Sequence, residues 1–224
     1  MNSDISNKDN KIDRVRESQQ VRKSKQLTYE DYLSWNDNQR YELIEGKVYN
    51  MTPAPSRLHQ KISGELFRQI ANYLSENDCE IYAAPFDVRL IDTQDKKDSN
   101  FDKKIEKPNK PNNSDIITVV QPDLVVVCNE DNLDEKGCLG APDLIIEITS
   151  PSSAARDRKV KRNLYEKHNV KEYWIVDPNA MVTEVYLLNE DNKYGKPNVY
   201  TKKDEILVDT LSDLKIDLDQ IFGN

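Results

Sequence analysis

Three short runs built almost wholly of Val, Ile and Leu constrain this chain more than any other feature: residues 116–120, 124–128 and 144–149. A strand with one wet face alternates apolar and polar side chains. Runs without that alternation belong to strands covered on both faces, so the sheet that holds them carries layers above and below it. The third run is followed by a helical pattern at 153–168 and a strand at 171–176 that Asp177-Pro178 ends. Upstream, Thr28 can cap a short helix reaching about Trp35, and residues 41–49 read as a hairpin turning at Glu45-Gly46. Ser56 can cap a long helix to about residue 75, with Leu58, Ile62, Leu66, Ile70 and Leu74 recurring every four positions. Further strands are predicted at 81–90, 182–188 and 205–208, and a last helical turn at 217–222. This order, without an internal repeat, predicts one α/β domain over residues 27–224, a mixed β-sheet flanked by helices with an N-terminal hairpin and extra C-terminal strands.

Composition defines what surrounds that core. The chain is 37% hydrophobic and 32% charged, which leaves long polar segments outside it. The first 26 residues show no sustained periodicity and are expected to be a mobile tail. Residues 92–115, rich in Lys, Asp and Asn and carrying Pro108 and Pro111, are expected to be a flexible insertion. No continuous apolar stretch suits a signal peptide or a membrane span, so a soluble, cytoplasmic protein is expected. Cys79, Cys128 and Cys138 are odd in number and lack CxxC spacing, so reduced thiols are expected. Two histidines do not support an imidazole-rich zinc site, and a metal here would need oxygen ligands, which means Mg2+ or Mn2+. The net charge of −8 opposes broad attraction to nucleic acid but leaves a local basic surface open. With 6 glycines there is no phosphate-cradling glycine loop, and no nucleophilic triad is evident.

Two carboxylates stand out against this background. Asp123 opens one apolar run and Glu147 sits inside another, where an ionised group is costly unless something pairs with it. Each acid alone can pair with an arginine or cap a turn. Two acids at like positions on neighbouring strands can instead share one divalent cation, which would polarise a phosphate. The helix that follows carries Asp157, Lys161 and Tyr165 at intervals of four, so one face can aim Lys161 at the carboxylates. There it can orient a water or stabilise developing charge; acting as a base would require its pKa, ordinarily about 10.4, to fall considerably. Arg156, Arg158, Lys159 and Arg162 offer phosphate contacts, or form a solvated basic face.

In combination, several motifs resemble the Uma-two family, described as putative restriction endonucleases: Tyr41-Glu-Leu-Ile-Glu-Gly46, Gln121-Pro-Asp-Leu124, Gly140-Ala-Pro-Asp-Leu-Ile-Ile-Glu-Ile148 and Ser150-Pro-Ser152, together with Asp157-Arg-Lys-Val-Lys161, Tyr165 and Lys171-Glu-Tyr-Trp-Ile-Val-Asp-Pro178. The resemblance runs from about Leu27 to Phe222. It implies a branch of the PD-(D/E)XK nucleases, a four-stranded mixed sheet with flanking helices, and a metal-dependent cut in a nucleic acid. It places Pro122-Asp123 at the PD and Glu147 at the (D/E). Thr149 stands where that motif has its lysine, and the resemblance implies that Lys161 has taken over the role.

Other residues keep two readings. Glu42 resembles a recurrent family acid, a further ligand or a hairpin-pairing residue. His59 can assist at the site or cap and pack, and Asp87 can pair with Arg89 or face the site. Tyr165 can donate to a phosphate or to an acid. Tyr173 and Trp174 fit a core or a dimer interface better than a base-stacking platform. The functional expectation is a Mg2+- or Mn2+-dependent endonuclease acting on DNA, as a possible homodimer. The alternatives are a silent nuclease-fold protein that binds nucleic acid or a partner, and a hydrolase of smaller phosphate compounds.

Overall fold

Local signals place the first elements of the computed structural model, which describes residues 26–36, 39–51, 54–92 and 111–223. Thr28 caps α1 (Tyr29–Leu33) through a reciprocal box with Asp31. Glu45 and Gly46, both at positive φ, turn β1 (Tyr41–Ile44) into β2 (Lys47–Asn50). Ser56 Oγ accepts from His59 N and starts α2 (Arg57–Leu74), which buries Ile62, Leu66, Ile70 and Leu74. Each such side chain contributes roughly 1.5–3 kcal/mol by leaving water. Leu58, expected on that stripe, is instead exposed at the mouth of a pocket, one turn short of the sheet that covers the others.

β3 (Glu80–Ala83) and β4 (Val88–Leu90) divide what was expected to be a single strand at 81–90. Pro85 between them has no N–H to give a ladder, and the two halves enter different sheets. β5 (Thr118–Val120) and β6 (Leu124–Val127) precede the short β7 (Leu133–Asp134) and β8 (Gly137–Leu139), then β9 (Leu144–Ile148). The helix after β9 runs through α3 (Ala154–Arg156), a π turn (Asp157–Lys161) and α4 (Arg162–Lys167). β10 (Glu172–Asp177), β11 (Val182–Leu187), β12 (Asn198–Thr201), β13 (Glu205–Leu207), β14 (Lys215–Asp217) and α5 (Leu218–Phe222) complete the chain.

A mixed sheet flanked by helices is present as expected, in the order β12-β11-β10-β9-β6-β3, with β9 and β10 parallel across the helical crossover. A second six-stranded sheet, β2-β1-β5-β4-β8-β7, was not expected. Alternation along the central strands separates two cores. Leu144, Ile146, Ile148, Leu124, Val126, Trp174 and Val176 pack against α2 and the C-terminal elements. Ile145, Val125, Tyr173 and Ile175 pack against Leu164 and Tyr165, and against Val88, Leu90 and Val120 of the second sheet. Glu147 is in phase with Ile145, so it looks into the layer between the helix and the second sheet.

The expected tail lies outside the described residues except for Gln26, and so does the expected insertion apart from its ends. Asp92 receives Lys167 Nζ at 2.8 Å, and Asn113–Asp115 form a 3-10 turn. The cysteine expectation is corrected. Cys79 and Cys128 form a disulfide, because the β3–β6 register that pairs Glu80 with Val127 brings the next two residues face to face. Spacing rules cannot detect partners 49 residues apart. Cys138 remains a free thiol, buried and pushed up to about 12 by desolvation, and so unsuited to nucleophilic attack. Tyr173 and Trp174 are core residues.

His168, at the end of α4, has its Nδ1 2.8 Å from Leu164 O, while its Nε2 lies 3.3 Å from Asp92 Oδ1 without hydrogen-bond alignment. Burial, helped by Lys167, lowers its pKa below the usual value despite the Leu164 carbonyl and Asp92. A histidine with a lowered folded pKa binds fewer protons than its unfolded form. Its penalty is absent above the unfolded pKa, about 6.5, and grows as pH falls below that value. His168→Gln is therefore expected to flatten the stability loss between pH 7.5 and 5.5, by at most ~1.4 kcal/mol per pH unit. Urea midpoints for both proteins at the two pH values test this, and parallel slopes would refute it.

Candidate active site

The pocket between the layers has a volume of roughly 490 Å³ and receives side chains from both sheets and two helices. β1 supplies Glu42, which is in phase with Ile44 and therefore faces the central sheet rather than the core of α1. β9 supplies Glu147, the entry to β6 supplies Asp123, α2 supplies His59 and the π turn supplies Asp157 and Lys161.

Lys161 is the hub. Its Nζ lies 2.7 Å from Glu42 Oε1 and 2.8 Å from Glu147 Oε1, and all three side chains are at least nine-tenths buried. Tyr165 OH donates to the same Glu147 Oε1 at 2.8 Å. Gln121 N donates to Glu42 Oε1 at 3.1 Å, and Arg156 stands 3.9 Å from Glu42 Oε2. Asp123 accepts from Ile148 N at 2.8 Å, with His59 Nε2 at 3.2 Å, both on Oδ2. Among the described residues, Asp123 and Glu147 thus each accept through one oxygen, and both residues line the pocket.

Charge in this pocket is unbalanced. Burial raises the Glu147 carboxyl well above the usual range, and the carboxylates of Asp157, Asp123 and Glu42 raise it further against the pull of Lys161. Burial alone would lower Lys161, but Glu147, Glu42 and Asp157 outweigh it and hold the ammonium protonated. Burial also raises Asp157, against Lys161 and a Ser153 hydrogen bond. Burial lowers His59, yet the hydrogen bond and charge of Asp123 bring it above its ordinary value. Four acids against one buried lysine is an environment that suits an added oxygen-liganded cation. Among the described residues, no group of three or more His, Cys, Asp or Glu stands ready as a metal cage. Asp123 and Glu147 are the pocket's oxygen donors that a largely hydrated cation could take.

A family model for Uma2, described as a putative restriction endonuclease, matches residues 29–219. The chain belongs to this family. The uncharacterized protein slr1290 of Synechocystis sp. (strain ATCC 27184 / PCC 6803 / Kazusa) is 28% identical over 172 residues, 75% of this chain and 77% of that protein. A putative nuclease of Anabaena variabilis ATCC 29413 belonging to DUF820 shares the fold, with a TM-score of 0.64 at 20% identity over 88% of this chain and 98% of its own.

Within this Uma2 chain, the site residues named from sequence divide into three groups. Asp123, Glu147, Lys161, Glu42, His59, Tyr165 and Arg156 are brought together, and Tyr165 donates to an acid. Three basic residues are not. Arg158 is tied to Glu184 and Asp177, Arg162 binds Tyr194 O and lies over the Tyr186 ring, and Lys159 is exposed away from the pocket. None of the three lines the pocket. Asp87 neither pairs with Arg89, which binds Asp134, nor lines the pocket. It accepts from Tyr29, Tyr32 and Gln121 behind it. Sequence reasoning gave no role to Asp157, Arg40 and Gln121, which also line the pocket. For Asp157 the signal was available in its spacing of four from Lys161.

Proposed function

We propose that this protein is a metal-dependent endonuclease that hydrolyses DNA phosphodiester bonds in this pocket. The observation that carries the reading is Lys161 Nζ bridging Glu42 and Glu147, from opposite sheets, beside Asp123. The family's description as a putative restriction endonuclease and that of the Anabaena protein as a putative nuclease support the reaction class and the substrate.

Asp123 and Glu147 would hold Mg2+ or Mn2+, which when bound supplies Lewis-acid stabilisation of phosphoryl charge. His59 and Ile148 N fix Asp123 through one oxygen, and Tyr165 and Lys161 fix Glu147 the same way. Lys161, kept protonated, is not the base. Its ammonium donates to Glu147 and pairs with Glu42, and a further N–H would orient the attacking water or a phosphoryl oxygen. Glu42 holds the lysine in place.

Plasmid cleavage with Mg2+ or Mn2+ is the direct test. Nicking or linearisation that EDTA abolishes is the expected result. An inert wild type would favour the binding-only reading, for which Thr149 at the motif's lysine position and the net charge of −8 already speak.

A further inference from the structure

Most of the positive charge in the pocket is already spoken for. Lys161 is held by two carboxylates, and Arg156 stands near Glu42 while lying over the Tyr49 ring at 5.1 Å. Arg40 differs. It lines the same pocket, its side chain is exposed, and its Nε donates to a neutral acceptor, Gln121 Oε1, at 2.9 Å. Among the described residues its charge meets no carboxylate, and the rest of its planar fork can bind an anion.

The arrangement behind Arg40 fixes its direction. Gln121 Nε2 donates to Asp87 Oδ1 at 2.8 Å and to Tyr32 OH at 3.1 Å. An ionised carboxylate only accepts, so the amide must turn its NH2 to Asp87 and its oxygen to Arg40. Asp87 is itself held by the Tyr29 and Tyr32 hydroxyls at 3.4 and 3.3 Å. Gln121 N also donates to Glu42 Oε1, so one residue both aims the arginine and holds a carboxylate of the site.

We infer that Arg40 is a phosphate-binding residue, gripping a phosphodiester next to the one that is cut, and that Gln121 positions it. This rests on the nuclease reading. It gives the acidic chain a local means of holding a polyanion without base readout, and it explains why a glutamine, a tyrosine pair and a half-buried acid stand behind an exposed arginine.

Binding of a short fluorescein-labelled DNA duplex, followed by anisotropy at several KCl concentrations in the uncut Asp123→Asn background, tests the inference. Adding Arg40→Gln should weaken binding about tenfold. It should also reduce the slope of log K against log salt by about 0.9, the share of one phosphate contact. Adding Arg40→Lys should keep the slope yet bind less well than arginine, because a point charge cannot hold both Gln121 and the phosphate. Thermal midpoints should not move, since the side chain is exposed. Unchanged affinity and slope in the glutamine variant overturn the inference and leave the nuclease reading intact. Full rescue by lysine overturns the positioning role of Gln121. Failure of the Asp123→Asn parent to bind DNA, together with an inert wild type, removes the nuclease reading and the inference with it.

Discussion

Asp123→Asn is expected to reduce plasmid cleavage about a thousandfold while leaving the protein folded. Asparagine keeps the shape of the side chain, and its oxygen can still accept from Ile148 N, which now binds Asp123 Oδ2 at 2.8 Å. What it removes is the charge that, with Glu147, would hold the cation. Loss of on the order of 4 kcal/mol of phosphoryl charge stabilisation corresponds to three decades in rate. The measurement is initial nicking rate against enzyme concentration, with far-ultraviolet circular dichroism as the control for folding. Cleavage that persists in this variant would place the chemistry at another site or in a contaminant.

Lys161→Ala is expected to lose cutting and also to cost about 3–5 kcal/mol of stability at neutral pH, the usual consequence of leaving buried charges without their partner. The loss should depend on pH. Without the ammonium, the Glu147 carboxyl, raised first by burial and then by Asp157, Asp123 and Glu42, rises further. A carboxyl whose folded pKa lies above its unfolded value, about 4.3, contributes stability that is complete below that value. That stability disappears as pH climbs through the folded pKa. The gap between wild type and Lys161→Ala should therefore be narrow near pH 5 and wide at pH 8, and Glu147→Gln added to the variant should recover part of it. Urea denaturation at both pH values decides the matter. An equal gap at the two would mean that lost packing, not stranded charge, accounts for the effect.

The central strands β6, β9, β10 and β11, the crossover helix, the N-terminal hairpin and α2 were legible from pattern with their boundaries nearly intact. Continuous apolar runs specify strands covered on both faces, and the period of α2 specifies its buried stripe. The second sheet was mostly hidden, because strands of two or three residues such as β7 and β8 are too short to show a period. The Pro85 break was written in the sequence, yet the apolar residues on either side of it masked it. The disulfide depended on register between segments 49 residues apart.

For the site, sequence alone determined which acids were anomalous. Asp123 and Glu147 sit in runs where an unpaired carboxylate is costly, and that follows from their neighbours in the chain. It also put Lys161 and Tyr165 on one helical face, and both reach Glu147 Oε1. Only the tertiary structure decided that Glu42 faces the same lysine from the opposite sheet, that Arg158 and Arg162 are bound elsewhere, and that Arg40 meets no acid among the described residues. The reason is physical. The cost of burying a charge can be read from local sequence, but whether a given cation meets an acid or the solvent depends on which faces of distant elements are packed together.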